Sequence, residues 1–229
     1  ESMPASTLAP DRSEGVHVIG AGGHAKVVIA TLEQAGWTIA GVYDDDPQRI
    51  GTRILGHAVL GPVSMLQRKP GSPAVIGIGR PDVRQRLAAR LTLTWVSAVH
   101  PAAWVHPSVT LGPGSLVFAG AVVQPDASLG AHVVVNTGAS VDHDCVVGSF
   151  SNIGPGARLA GAVEVGSCCD LGTGCAVIPG IRVGSQSVVG AGAVVICHVE
   201  ERVVAAGCPA RVLQRLHPNP SDREDSRAA

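Results

Sequence analysis

Three consecutive residues, Asp142-His143-Asp144, place an imidazole between two carboxylates. An imidazole of ordinary pKa, about 6.5, is mostly neutral at pH 7 and can accept a proton from an attacking amine or hydroxyl. A carboxylate beside it can orient the ring and stabilise the imidazolium that forms, as in acyl-transfer triads. Base catalysis of this kind is worth about 10²–10⁴ in rate. The same three residues would also make an ordinary polar surface turn, so the assignment depends on the elements that hold them.

Those elements follow a six-residue period. From Val105 to Glu200 the chain runs as sixteen hexads without insertion, beginning VHPSVT, LGPGSL, VFAGAV and ending VGAGAV, VICHVE. Every first position is Val, Leu or Ile, and every fifth is small or β-branched. Helices repeat near 3.6 residues and strands near 2; a sustained six marks a parallel β-helix built from hexapeptides. Three hexads make a triangular coil of about 18 residues, and coils stack at about the 4.8 Å strand spacing. First-position aliphatics fill the prism, fifth-position residues let the corners close, and glycines at second and fourth positions relieve the turns. Sixteen hexads give between five and six coils, whose ends need capping. His143 holds a third position, off the inward set. Gly161 follows it by one coil and stacks beside it, where a backbone N–H can hold a developing oxyanion, worth about 10²–10³.

Ahead of the repeat the rhythm changes. Val16 to Ile19 reads as a buried strand, Gly20-Ala21-Gly22-Gly23-His24-Ala25 as a glycine-rich turn, and Lys26 to Ala35 as a helix closed by Gly36. Strands are expected at Trp37 to Tyr43, Ala74 to Ile78 and Trp95 to Val99, and a helix at Asp82 to Leu91. Such alternation predicts a small Rossmann-like parallel α/β sheet. The turn fits G-x-G-x-x-A, with Asp44 and Asp45 just past the second strand. Gly20, Gly22 and Gly23 would let the backbone approach a pyrophosphate at a helix start. His24 could touch a phosphate or sugar, and the two acids could accept bonds from a ribose or base. A dehydrogenase would add a second mononucleotide half, whereas this unit gives way to the repeat after about 85 residues. The expectation is therefore a nucleotide-linked substrate rather than a redox cofactor. The organisation reads as a disordered tail (1–15), a small α/β nucleotide-sugar-binding domain (16–100), a β-helix (101–200), a C-terminal cap (201–216) and a second disordered tail (217–229).

Composition narrows the choice. A formal net charge of −1 and 3% aromatic residues argue against nucleic-acid binding. No run of eighteen apolar residues occurs, so no membrane span is expected. The N-terminal segment has no signal-peptide apolar core. Cys145, Cys169 and Cys175 hold fifth positions and read as core, and no C-x-x-C pair exists. Neither zinc nor disulfides are expected, and reduced thiols suit the cytoplasm. A β-helix carbonic anhydrase would need three converging histidines. His106, His132 and His198 are scattered, and His132 stands eleven residues from His143, so no metal is expected. His17 is expected to be buried in the first strand.

Several motifs, taken in order, carry a family resemblance. They are Gly20-Ala21-Gly22-Gly23-His24-Ala25-Lys26, Tyr43-Asp44-Asp45-Asp46, His100-Pro101, Asn136-Thr137-Gly138-Ala139 and Val141-Asp142-His143-Asp144-Cys145. Gly190-Ala191-Gly192-Ala193-Val194-Val195 and Gly207-Cys208-Pro209-Ala210-Arg211 complete the set. From Val16 to Leu213 the chain resembles the sugar acyltransferases of sialic-acid O-acetyltransferase and bacillosamine or perosamine N-acetyltransferase type. The resemblance implies a left-handed β-helix, which departs from the usual right-handed crossover. It also implies a homotrimer with active sites between subunits and acetyl-CoA bound in the clefts. His143 would be the base, Asp144 its carboxylate, and the Gly161 amide the holder of the acetyl carbonyl. Asn136 would lie near the sugar nucleotide, while Ala191 and Gly207-Cys208-Pro209-Ala210 would line the pantetheine arm, with Cys208 as a packing variant. One departure stands out. Nine residues past the catalytic histidine many relatives carry a second histidine; Asn152 stands there, able to donate a hydrogen bond near the acetyl group but not to titrate.

The leading expectation is an acetyl-CoA-dependent N-acetyltransferase acting on the amino group of a UDP- or GDP-linked 4-amino-4,6-dideoxy sugar. Two alternatives stay open: O-acetyl transfer of the sialic-acid type, and a non-catalytic trimeric scaffold that binds nucleotide sugars.

Overall fold

The computed structural model describes residues 15–217. Apart from Gly15 and His217, the two tails expected to be disordered lie outside the described residues. The first strand, β1 (Val16–Ile19), is buried along its whole length, His17 included, as a run of aliphatic residues in the middle of a parallel sheet should be. Parallel neighbours flank it: β2 (Ile39–Tyr43) on one side and β5 (Pro73–Ile76) on the other. Beyond them lie β3 (Arg53–Ile54), β4 (His57–Gly61) and β6 (Thr94–Trp95), giving the order β3-β4-β2-β1-β5-β6. Helices α1 (Gly23–Gln34) and α2 (Pro81–Arg90) follow β1 and β5. Strand order reverses at β1, so the carboxyl ends of β1 and β5 form a topological switch point, where open α/β sheets take their ligands.

Two features of this sheet were not visible as periodicity. The segment between Asp46 and Pro73, which reads as a punctuated connection, holds β3, β4 and a 3₁₀ helix (Val63–Arg68). These pieces are short and broken by Gly61 and Pro62, so no window carries a full period. The strand expected from Trp95 to Val99 is two strands. Thr94–Trp95 pairs with β5, whereas Ala98–Val99 pairs with Leu116–Val117 of the repeat. Only Val96 and Ser97 separate them, and Ser97 Oγ fastens the transition by donating to the Gly112 carbonyl at 2.9 Å.

The repeat is a left-handed parallel β-helix. Its three faces are sheets of eight, six and five strands. Partners stand one coil apart, as in Leu116↔Val134↔Asn152↔Asp170↔Val188. First- and fifth-position side chains form one continuous core that includes Cys145, Cys169 and Cys175. Buried hydroxyls are satisfied by the backbone: Ser151 Oγ donates to the Gly166 carbonyl at 2.7 Å and accepts from the Cys169 N–H. Each such bond contributes about 1 kcal/mol net. Val203–Ala206 extends the first face in parallel, and Arg211–Arg215 closes it antiparallel.

Glycine serves two different purposes in the hexad. Every fourth position from Gly114 to Gly192 has positive φ, including non-glycine residues such as Asp126, Asp144 and Ala162. Second-position glycines answer to crowding instead. A Cβ on Gly154 would lie 2.4 Å from the Leu171 carbonyl oxygen, and one on Gly148 2.6 Å from the Gly166 carbonyl carbon. The expected turn relief therefore holds for the fourth position, while at the second the next coil leaves no room. Two of the three corners carry such glycines. The third reads Gln124, Asp142, Ala160, Ile178 and Ile196 at successive second positions, and there the side chains leave the prism.

Candidate active site

His143 sits on the corner without second-position glycines. Its backbone N–H donates to Asp142 Oδ1 at 2.8 Å, and Asp144 follows in the left-handed region at φ 59°. Aspartate tolerates that conformation better than most side chains. The turn brings Asp144 Oδ2 to 2.7 Å from His143 Nδ1, with the two side chains 60% and 62% exposed. A carboxylate at Nδ1 accepts a hydrogen bond from the ring, which keeps the proton on Nδ1 and leaves Nε2 with its lone pair. The Asp144 hydrogen bond pushes the imidazole pKa above its ordinary value; partial desolvation opposes it, and the charges of Asp142 and Asp144 add to the rise.

Gly161 lies directly under this ring. A Cβ there would stand 2.6 Å from both Cε1 and Nε2 of His143. Its glycine is required by the neighbour rather than by its own backbone, since φ is ordinary. The Gly161 carbonyl accepts from Gly180 at 3.0 Å, and no hydrogen bond among the described residues uses its N–H. One coil thus supplies an imidazole with a free Nε2, and the next an available amide.

The remaining expected residues fall elsewhere on the chain. Asn136 lies on a second corner, between Phe118 one coil earlier and Gly154, Gly172 and Gly190 in later coils; its Oδ1 accepts from the Thr137 N–H at 2.8 Å. Exposed Ala191 lies on the same corner. Gly207 joins it through its carbonyl, which accepts from Val194 at 3.0 Å, followed by a cis Cys208-Pro209 bond. Cys208 is exposed rather than packed, because the segment runs over the surface past the last core residue, Ala205. Asn152 occupies the strand that leads into this corner. Its Nδ2 donates to Asp170 Oδ1 at 2.7 Å, while its Oδ1 is buried without a partner. Within one chain, then, His143, Asp144 and Gly161 meet, and Asn136, Asn152, Ala191, Gly207 and Pro209 lie along a different corner.

The glycine-rich turn stands at the switch point. Gly20 has φ 103°, and a Cβ on it would press on Ile78 at 2.7 Å. Gly22 caps α1 without a side-chain bond, the first turn holds no acid, and nothing lies within 4 Å of where a Gly23 Cβ would be. Bare N–H groups at a helix start favour an anion. Asp44 braces the turn, its carboxylate accepting from Ala21 at 2.6 Å and from Asp46 at 2.9 Å. Asp45 accepts from Val63 at 2.8 Å, at the start of the 3₁₀ helix. His24 turns inward, 5.5 Å from the Phe118 ring, with Nε2 buried and unpartnered. Burial, helped by the nearby Arg84 charge, lowers its pKa to about 4, so the ring is neutral at pH 7.

With this geometry in place, the relatives can be compared. Residues 15–91 match the model of the PglD N-terminal domain family. The structure is similar to that of a histidine variant of perosamine N-acetyltransferase from Caulobacter crescentus, in complex with CoA and GDP-perosamine. The TM-score is 0.83 and the identity 40%, covering 91% of this chain and 100% of that one. The chain belongs to the sugar acetyltransferase family.

This acetyltransferase is also similar to the acetyltransferase domain of PglB from Neisseria gonorrhoeae, in complex with acetyl coenzyme A. Here the TM-score is 0.80 and the identity 36%, over 87% of this chain and 99% of that domain. With uncharacterized protein L142 of Acanthamoeba polyphaga mimivirus the acetyltransferase shares 29% identity over 103 residues, and it spans 21% of that curated relative's length. One residue of the acetyltransferase escaped sequence reasoning altogether: Arg84, whose side chain is buried between the α/β domain and the β-helix. Its signal was available, since Pro81, Arg84 and Leu87 fall at three-residue spacing on the buried side of α2.

Proposed function

We propose that the protein transfers the acetyl group of acetyl-CoA to the amino group of a nucleotide-linked 4-amino-4,6-dideoxy sugar. The observation that carries this reading is the His143 ring, bonded to Asp144 at 2.7 Å through Nδ1 and lying over Gly161 through Nε2. The sugar nitrogen attacks the thioester carbonyl carbon, and the carbonyl oxygen becomes an oxyanion that the Gly161 N–H accommodates. Nε2 takes the proton lost by the nitrogen. As the C–S bond breaks, the imidazolium returns that proton to the departing CoA sulfur. Asp144 holds the ring in the required tautomer throughout. Asn152 donates a hydrogen bond but carries no proton between groups. We assign no metal to this chemistry.

The nucleotide is placed at the α1 start, with Gly20, Gly22 and Gly23 beneath the pyrophosphate and Asp44, Asp45 and His24 around the turn. Asn136 faces the sugar, and Ala191, Gly207 and Pro209 line the pantetheine arm. Because these last residues lie on a different corner from His143, we infer a homotrimer in which neighbouring chains complete each site. We assign the protein to the reducing cytoplasm. The test is thiol release from acetyl-CoA with a panel of UDP- and GDP-linked amino sugars, GDP-perosamine first, in wild type and His143→Ala. Turnover should fall about 10²–10⁴-fold in the variant. Undiminished activity in His143→Ala would remove His143 as base, and acetyl found on a sugar oxygen would favour the O-acetyl alternative.

A further inference from the structure

Arg84 is 1% exposed, in a place where the pattern of α2 calls for an apolar side chain. A buried cation is unfavourable unless its N–H groups find partners. Nε is buried without a partner, whereas Nη1 and Nη2 find four backbone carbonyls from two parts of the molecule. Nη1 donates to Gly79 at 2.5 Å and to Ile78 at 3.2 Å. Nη2 donates to Phe150 at 2.5 Å and to Ser151 at 3.3 Å. The first two carbonyls belong to the loop leaving β5 at the switch point, beside Gly20. The second two belong to the turn between His143 and Asn152. One end adjoins the glycine-rich turn and the other runs directly into the strand of Asn152, and the planar fork of a guanidinium is the group that can grip two carbonyl pairs at once.

The surroundings favour a fixed cation. Burial lowers the Arg84 pKa to about 10, with the Asp170 carboxylate the largest influence opposing the fall, so the side chain stays charged at neutral pH. Asp170 itself is bonded to Asn152. The neutral rings of His24 and His132 lie close enough to feel the charge. His132 is stacked on Phe150 with centroids 5.0 Å apart, which steadies the turn that Arg84 grips.

We propose that Arg84 is a positioning residue that fixes the switch-point loop Ile78-Gly79 against the coil turn Phe150-Ser151 and so sets where the nucleotide-linked acceptor is presented along the β-helix. The inference rests on the acyl-transfer reading above. It assigns Arg84 an effect mainly on acceptor delivery: of the proposed acetyl-CoA contacts, Gly161, Ala191, Gly207 and Pro209 make no bond to it, and only Asn152 adjoins the gripped turn.

The experiment uses the full chain and compares wild type, Arg84→Met and Arg84→Lys, with GDP-perosamine and acetyl-CoA as substrates. In Arg84→Met the KM for GDP-perosamine should rise about ten-fold or more while the KM for acetyl-CoA stays within about two-fold. Arg84→Lys should fall between, because one ammonium cannot span both carbonyl pairs. Amide hydrogen exchange, measured in parallel, should quicken at residues 78–82 and 150–152 and remain unchanged in coils 158–195. A wild-type acceptor KM in Arg84→Met overturns the proposal. So does an equal loss for both substrates with faster exchange throughout the coils, since that is the mark of general destabilisation. If wild type transfers acetyl to no acceptor, the functional reading fails on its own. The exchange pattern then decides alone, and unchanged exchange at both loops in Arg84→Met overturns the clamp.

Discussion

At the scale of single residues, the chemistry depends on which nitrogen of His143 is free and on what its pKa is. The Asp144 bond raises that pKa, so the proposed base is fully deprotonated only above the ordinary histidine value. The kcat/KM profile should therefore climb with pH through an inflection above about 6.5. Asp144→Asn removes the charge and the strong bond, so the inflection should move to lower pH while the maximal rate falls. An inflection that stays in place would mean that Asp144 does not govern the ring. Gly161→Ala makes a separate prediction. The new methyl would meet only the far end of an exposed ring, so the ring swings away at little cost in stability. Activity should drop by about 10²-fold or more with thermal unfolding nearly unchanged. A variant that loses its fold along with its activity would contradict this, because the contact would then be structural.

At the scale of elements, the coil is set by where glycine is needed and why. Gly154→Ala drives a methyl against the backbone of the next coil, 2.4 Å from a carbonyl oxygen that cannot move alone. Gly174→Ala meets nothing within 4 Å and suffers only the left-handed conformation at φ 67°. The second should cost about 1–2 kcal/mol and the first more, about 3 kcal/mol, the upper end of overpacking costs, with the risk of losing coil pairing. Denaturant melts of both variants check the order, and equal losses would show that coil spacing yields easily. The hexad register was legible in the sequence because one aliphatic position recurs without a break, so the core, the buried cysteines and the stacking of Gly161 on His143 could all be read from spacing. The two roles of glycine could not, because crowding by a coil eighteen residues away looks the same in sequence as a turn. Short paired elements such as β3 and β4 lack a period. The burial of Arg84 could be read from the spacing of α2, but its partners are backbone carbonyls, which leave no trace in residue type.

At the scale of the whole molecule, the α/β domain covers the lower part of the first face. Leu116, Phe118 and Val134 of the repeat join Val28, Ile29 and Leu32 of α1 in one apolar cluster. That packing sets the glycine-rich turn at a fixed height beside the coils. The proposed base and the proposed pantetheine wall stand on different corners of the prism, which a trimer would bring face to face. Refolding an equal mixture of His143→Ala with Asn136→Ala, each inactive alone, should restore activity at about one quarter of sites, where an intact corner from each chain meets. No recovery would place each site within a single chain. The most direct measurement remains acetyl transfer itself: thiol release from acetyl-CoA on adding GDP-perosamine and its UDP-linked analogues, with the product analysed by mass spectrometry. Acetyl attached to the sugar nitrogen, formed by wild type and not by His143→Ala, is the predicted result. Acetyl on oxygen, or no transfer to any amino sugar, would contradict it.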